Sequence, residues 1–521
     1  MKDKSYDYII IGSGFGGSVS ALRLAQKGYK VAVLEQGKRF ETKDFPATNW
    51  NLKKYFWLPK LRMFGIQAMS LLRDVFVLHG TGVGGGSLVY ANNLITPNDE
   101  VLENPSWGED DWKNKIKPFY EKAKFMLGAS SHKIKTPGDE LLRECVKEIT
   151  GNDTFHYNDV GVYFGKSGVT VKDPYFDGEG PDRTGCILCG GCMVGCQHNA
   201  KNTLDKNYLY LAEKLGVDII PETKVENIIP QNGSYEVITR KITKIFSSRK
   251  TYFTKGVVVS GGVMGSVKLL FKCKQSSMPN ISNQLGHFVS TNNEALTGVI
   301  APDNSVDYSK GISITSGVYP DDNTHIETVR YGKGQDALSA LTTPLVGGGY
   351  LPRQVYFFIS LLRHPIKFFT TKLPFNWAKR TTIFLVMQKI DSYMSFSYKP
   401  RWWRLGGRSL NSEVAKKDKV PAYIPIANQV ANSISDKIGG TPLSVLPETV
   451  FDTATTAHIL GGCRMSDSSE SGVIDRLGKL HGYSNFYVVD GSIVPINLGV
   501  NPSLTITALA EYIMDKVPYK S

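Results

Sequence analysis

Four of the chain's seven cysteines, Cys186, Cys189, Cys192 and Cys196, fall within eleven residues in the run RTGCILCGGCMVGCQHNAKN. Their spacing, C-x2-C-x2-C-x3-C, is one that ligates iron–sulfur clusters through thiolates, although Gln197 stands where a proline usually follows. A zinc knuckle would divide its ligands into two separated pairs, and this run does not. A single run of this kind would carry one [4Fe-4S] cluster in a modified loop, or a [3Fe-4S] cluster on three thiolates. The alternative is a reduced, Gly-rich turn with small thiols packed inside. With a cluster, the protein would pass single electrons to a partner acceptor and not act as a simple oxygen-using oxidase.

Such chemistry needs a frame, and the N-terminal stretch describes one. YDYIIIGSGFGGSVSALRLAQKGYKVAVLEQG reads as strand, glycine turn, helix, strand, with Gly12, Gly14 and Gly17 as G-x-G-x-x-G directly after a β-branched run. Backbone N–H groups at the helix start would face a pyrophosphate, which excludes bulky residues there. Glu35, closing the second strand, is placed to bond a ribose hydroxyl. The chain is therefore expected to bind a dinucleotide. A second glycine-rich loop, HGTGVGGGSLVYANN (79–93), lets backbone approach something flat and large. VDIIPETKVENIIP reads as one strand, followed by a further strand–glycine–helix unit, GVVVSGGVMGSVKLLFKC (256–273). Dinucleotide-domain elements thus recur along an α/β chain with other material inserted. A length of 521 residues suits two to three domains at roughly 100–200 residues each.

The C-terminal motifs TAHILGGCRM (456–465) and NFYVVDGSIVPINLGVNPSLTITALAEYIMDKV (485–517), with both glycine loops, resemble the glucose–methanol–choline (GMC) flavin oxidoreductases. Within that family the chain is most similar to the cholesterol-oxidase branch, over essentially its whole length. The resemblance implies the GMC fold, α/β with an α+β character overall. It assigns 1–45, 75–100, 200–300 and 450–521 to a Rossmann-type FAD-binding domain of discontinuous segments. It assigns 46–74, 101–199 and 301–449 to a sheet-based substrate domain, with the cysteine loop at 183–202. It also implies FAD as the dinucleotide, contacted by Gly12, Gly14, Gly17, Glu35, Gly82, Gly84, Gly85, Ser87, Asn93, Val225, Asp490, Gly491 and Pro502. Some family members attach FAD covalently through a histidine just past the glycine loop. The matching position is Val89, so noncovalent FAD is expected.

Oxidising an alcohol needs an acceptor for the hydroxyl proton and one for the hydride, which flavin N5 would take. By its match to the family motif, His458 is the acid/base residue. Asn501 before Pro502 reads as a helix N-cap, with a helix running to Pro518. The resemblance adds that its side chain also bonds substrate or flavin, at a helix start that would stabilise developing anion. Glu327 alternates with Ile326 and Val329 on a segment that could line a cavity, where desolvation would raise its pKa. Its position resembles the glutamate that moves a proton during double-bond isomerisation in cholesterol oxidases; His325 is a rival. The expected activity is oxidation of a hydrophobic, steroid-like 3β-hydroxy alcohol to the ketone, with isomerisation. Two alternatives are a dehydrogenase exporting electrons through the cluster and a non-oxidative lyase or decarboxylase. A third is a redox-silent protein of the lipid surface.

The net charge of +13 is uneven: residues 353–408 hold eleven Lys/Arg against one acid, with thirteen aromatics. No nucleic-acid recognition motif accompanies this charge. The mixture suits an amphipathic surface meeting anionic lipid, or a substrate-domain wall with a solvated basic rim. The expected partners are a hydrophobic alcohol, oxygen or a redox protein as acceptor, and a membrane surface. The N-terminus lacks signal-peptide architecture, and no apolar run approaches the ~18 residues of a membrane span. This predicts a cytoplasmic protein, peripheral at the inner membrane surface if the basic aromatic segment meets lipid.

Overall fold

The run SYDYIII forms the strand Ser5–Ile11, buried at Tyr6 and continuously from Tyr8 to Ile11, as expected for a parallel strand covered by helices on both faces. The structure, a computed structural model, describes residues 5–108, 111–244, 246–348, 350–400, 407–414 and 420–521. Ser5–Ile11 pairs in parallel with Val31–Leu34 on one side and Arg249–Val259 on the other. Asp218–Ile220 and Phe486–Val488 extend this parallel core at its two edges. The hairpin of Thr223–Gln231 and Ser234–Lys241 joins the first half of Arg249–Val259 antiparallel, giving seven strands. The stretch read as one strand at 217–230 is therefore two, divided at Pro221 and Glu222, where Glu222 takes a left-handed φ of 57°.

Helix Phe15–Gln26 starts directly from the glycine turn and packs on Ser503–Asp515. Gly12 has φ 99°, and a Cβ on Gly17 would lie 2.0 Å from the Gly12 carbonyl oxygen. Only glycines let helix and strand approach so closely. Helix Trp112–Met126, expected with the insertions, packs on Ser503–Asp515 instead. Its buried Trp112, Ile116, Tyr120 and Ala123 join the core of this lobe.

The insertions, joined by Ala295–Ile300 from the end of a segment expected in the FAD-binding domain, build a second seven-stranded sheet, antiparallel throughout. Its order is Thr342–Pro344, Thr441–Val445, Ala295–Ile300, Thr381–Gln388, Thr324–Val329, Ile314–Asp321 and His156–Tyr157. Helices Pro137–Thr150 and Pro425–Ile438 cover one face through Leu142, Val146, Val430 and Ile434. The other face is left for the site. Between the lobes, Val75–Gly80 lies between Gln67–Leu71 and Ala454–Thr456. This small sheet brings the second glycine loop beside the segment that carries His458.

Residues 353–371 form two amphipathic helices, Arg353–Arg363 and Pro365–Thr371. Their apolar side chains do not wall the cavity as expected: Leu362 is 81%, Ile366 76% and Phe369 65% exposed. Of the segment's aromatics, Trp377 and Tyr398 do reach the cavity, whereas Trp402 and Trp403 lie outside the described residues. No helix among the described residues is long and apolar enough to cross a membrane.

Candidate active site

A cavity of about 1390 Å³ runs from the N-terminal glycine turn to the open face of the antiparallel sheet. Pockets for one small ligand usually occupy roughly 300–1,000 Å³, so this one has room for more than a single compact molecule. Its nucleotide end is lined by Gly12, Gly14, Glu35 and Val225, and its middle by Gly85, Val89, Asp490, Gly491 and Pro502. Its far end is apolar, with Leu296, Ile314, Val329, Ile383, Leu385 and Leu443.

The nucleotide end is built to receive a bound group. A Cβ on Gly14 would meet nothing within 4 Å, so this backbone faces open space. Glu35 is buried, which raises its pKa despite hydrogen bonds from the Ser13 and Gly37 amides at 3.1 and 2.8 Å. Oε2 also accepts from the Ser13 hydroxyl, at 2.8 Å, so Oε1, with the Gly37 amide alone, keeps a lone pair for a ribose hydroxyl. Gly17, Gly82, Gly84 and Ser87 do not line the cavity. Gly17 packs helix on strand. The Ser13 hydroxyl donates to Glu35 Oε2 at 2.8 Å, with the Gly82 carbonyl at 3.2 Å, and accepts from the Gly84 amide, while Ser87 donates to the Gly84 carbonyl at 2.7 Å. These residues fix the loop from behind. Asp490 accepts from both the amide and the hydroxyl of Ser492, at 2.8 and 2.6 Å.

Where the lobes meet, His458, Asn501 and Asn93 line the cavity together. His458 hydrogen-bonds through Nδ1 to Glu294, whose other oxygen accepts from the Ala457 amide at 2.7 Å. Nδ1 therefore carries the hydrogen, leaving the Nε2 lone pair free. Burial alone would lower the imidazole's pKa; the Glu294 carboxylate outweighs it and holds the group above its ordinary value.

Asn501 does not cap the helix. Ser503–Asp515 starts one residue later than expected, with Pro502 in the cap position and no side-chain cap bond. The Asn501 amide instead donates to Glu327 Oε2 at 3.1 Å, and its oxygen accepts from Asn93 at 3.3 Å. Pro502, with φ −84° and ψ −7°, is already helical, which points the preceding side chain away from the helix's first amides. Asn93 and Asn158 donate to Glu327 Oε1 at 2.6 and 3.1 Å. Glu327 is fully buried and sits behind these amides, not on the cavity wall as expected. Burial pushes its carboxyl up to about 7, against the lowering effect of the Asn501 and Asn93 bonds. Asn93 Oδ1 has no partner and remains available to a bound group.

Glu294, Asn158 and the proton-handling place of Asn93 were not legible in the sequence. Glu294 stands 164 residues from His458 in a stretch with no motif, and only the fold joins them. Of the two readings of the cysteine run, the geometry is that of the reduced, packed turn, with all four thiols free. Among the described residues no group of three or more His, Cys, Asp or Glu is arranged to hold a metal ion. Cys186, Cys192 and Cys196 pack against Ile134, Val160, Val162, Ala200 and Ile312, and Cys189 is exposed. Buried Lys201 ties this turn to the second glycine loop by donating to the carbonyls of Leu88, Tyr90 and Cys192 at 3.1, 2.8 and 2.8 Å.

Comparison with known proteins accords with this site. Family models described as GMC oxidoreductase match residues 180–288 and 414–510, and one described as FAD binding domain matches 7–50. A cholesterol oxidase of Acinetobacter baumannii is 43% identical, covering 100% of this chain and 96% of that one. The chain belongs to the GMC oxidoreductase family. As a GMC enzyme it is an FAD-dependent oxidoreductase acting on CH–OH donors. A cholesterol oxidase of Mycobacterium tuberculosis is 42% identical over 97% of this chain and 90% of its own. The crystal structure of pyridoxine 4-oxidase from Mesorbium loti shares the fold, at TM-score 0.61 and 14% identity over 98% of both chains.

Proposed function

We propose that this GMC enzyme oxidises a 3β-hydroxy sterol to the ketone and moves the adjacent double bond into conjugation, with oxygen as the final electron acceptor. The observation that carries the reading is the meeting of two proton-handling units at one point. His458 with Glu294, and Glu327 with its three amides, stand where the nucleotide groove opens into the apolar chamber. FAD, held noncovalently through the residues named above with Val89 at the attachment position, supplies the hydride acceptor.

The chain's own groups handle the protons. His458 Nε2 accepts the hydroxyl proton, and Glu294 stabilises the imidazolium that forms. Asn501 and Asn93 orient the hydroxyl. The helix start at Pro502 and Ser503 lines the cavity, where its free amides favour negative charge. Glu327, turned as carboxylate past the Asn93 and Asn501 amides that cover it, removes a proton from the carbon between ketone and double bond and returns it at the far end of the alkene. The apolar far end receives the sterol body, at roughly 25 cal/mol per Å² buried. The names of the two cholesterol oxidases support the substrate class. A small polar alcohol would have little use for this chamber.

The sterol must leave lipid to enter. The exposed face of Arg353–Arg363 and Pro365–Thr371, with Arg363 and Lys367 beside Leu362 and Ile366, suits an anionic bilayer surface. Lys372 ties these helices to the carbonyl of Thr342, a residue of the cavity wall, so docking there would set the cavity near the membrane.

The test is product analysis. Wild-type enzyme given a 3β-hydroxy-5-ene sterol in air should release the conjugated 4-en-3-one and one hydrogen peroxide per turnover. Glu327→Gln should release the unconjugated 5-en-3-one. Isomerisation at the wild-type rate in Glu327→Gln would remove Glu327 from the reaction.

A further inference from the structure

A base that titrates must trade its proton with water, yet Glu327 is sealed from solvent and the side chains bonded to it are buried amides. On the same strand face, two residues earlier, stands His325. Its Nδ1 lies 3.9 Å from Glu327 Oε1 and has no hydrogen-bond partner. Its Nε2 lies 3.2 Å from Nε2 of His156, on the edge strand His156–Tyr157. His156 Nδ1 is 3.1 Å from the Thr154 carbonyl oxygen, and this second histidine is half-buried.

The carbonyl at the end of this row sets every hydrogen in it. Only Nδ1–H of His156 can bond a carbonyl, so the neutral ring presents a lone pair at Nε2. His325 must then donate from Nε2, which leaves its Nδ1 lone pair turned towards Glu327. Neutral rings are what the surroundings favour. Burial, helped by His156, lowers the pKa of His325 well below its ordinary value, and burial lowers that of His156. The other titratable group packed on the pair is Tyr319, stacked on His325 at 4.5 Å between centroids; Glu294 and His458 face Glu327 from its cavity side. Gly317, on the intervening strand, keeps the contact between the rings open. A Cβ there would lie 2.3 Å from His325 Nε2 and 3.2 Å from His156 Nε2.

We propose that His325 and His156 form a proton relay joining Glu327 to solvent. The relay rests on the reading of Glu327 as the isomerisation base. Protonated Glu327 gives its O–H proton to His325 Nδ1, the Nε2 proton of His325 passes to His156 Nε2, and the Nδ1 proton of His156 passes to water. One proton enters the row, one leaves, and no electrons move. Passage in the opposite direction restores the original tautomers. The first transfer needs the carboxyl to swing about 1 Å closer to reach hydrogen-bond length. A proton taken from substrate carbon can thus be exchanged for one from solvent before it is returned.

The relay is tested on the resting holoenzyme, diluted at acid pH into heavy water. The infrared band of the protonated carboxyl, identified by its loss in Glu327→Gln, reports exchange at this one group. His156→Phe should keep bound FAD but slow that exchange by roughly 10²-fold or more, as expected when a positioned proton carrier is removed. Gly317→Ala, which wedges the rings apart, should do the same. Free imidazole should restore exchange in His156→Gly. Sterol turned over in heavy water should give enone carrying solvent deuterium from wild type, and enone retaining substrate hydrogen from His156→Phe. Equal exchange of the carboxyl in wild type and both variants would overturn the relay. Failure of the base assignment would show separately, as isomerisation that survives Glu327→Gln.

Discussion

His458 and Glu294 act as one unit, and each should fail in its own way. His458→Gln keeps the fold and FAD but loses the proton acceptor, so rapid-mixing flavin reduction should slow by ~10²–10⁴-fold. Glu294→Gln keeps a bonding partner for Nδ1 while removing the charge that raises the imidazole's pKa. Reduction should slow, and the acid limb of its pH profile should move to lower pH. Burial pushes the Glu327 carboxyl up to about 7, and the proposed base is its carboxylate form, so isomerisation should rise with pH through about 7. The same shift bears on stability. A carboxyl whose folded pKa lies above its unfolded value favours the fold when protonated and weakens it as pH rises through about 7. The thermal midpoint of Glu327→Gln relative to wild type should therefore be more favourable at pH 8 than at pH 4. A difference independent of pH would mean that the carboxyl is not shifted.

At the scale of elements, the glycine turn and its flanking strands were readable because strand, turn and helix follow each other in one continuous stretch. The same locality misled at Asn501. Asn before Pro is an ordinary helix start, and only the distant carboxylate of Glu327 draws its amide away. Glu327 was singled out by its alternation with Ile326 and Val329 on a strand, with His325 as a rival for its role. Which face of that strand meets the cavity depended on Asn93 and Asn158, far away in sequence. The basic aromatic segment was likewise recognised by composition, and composition could not tell a cavity wall from an exposed helical face. That face gives its own prediction. Burying a Leu or Ile is worth about 1.5–3 kcal/mol. Leu362→Asp with Ile366→Asp should thus weaken binding to phosphatidylserine vesicles by roughly tenfold or more. Turnover of detergent-dispersed sterol should be unaffected. Unchanged vesicle sedimentation would show that lipid does not cover this face.

At the scale of the molecule, two sheets of different construction meet along one cavity. The parallel sheet presents glycine backbone and Glu35 to the nucleotide, and the antiparallel sheet presents an apolar face to the substrate. The groups proposed to act come from both: Asn501 from the first lobe, Glu294 and Glu327 from the segments of the second, with His458 in the connection between them. The cysteine turn lies outside this line of action and braces the second glycine loop through Lys201. In the proposed reaction this cavity delivers a sterol hydroxyl to the flavin. The most direct measurement of this step is anaerobic stopped-flow reduction of the purified holoenzyme, followed by bleaching of the flavin absorbance. A 3β-hydroxy sterol in detergent should bleach it faster than short-chain alcohols or sugars at equal concentration. Faster bleaching by a short alcohol or a sugar would contradict the account.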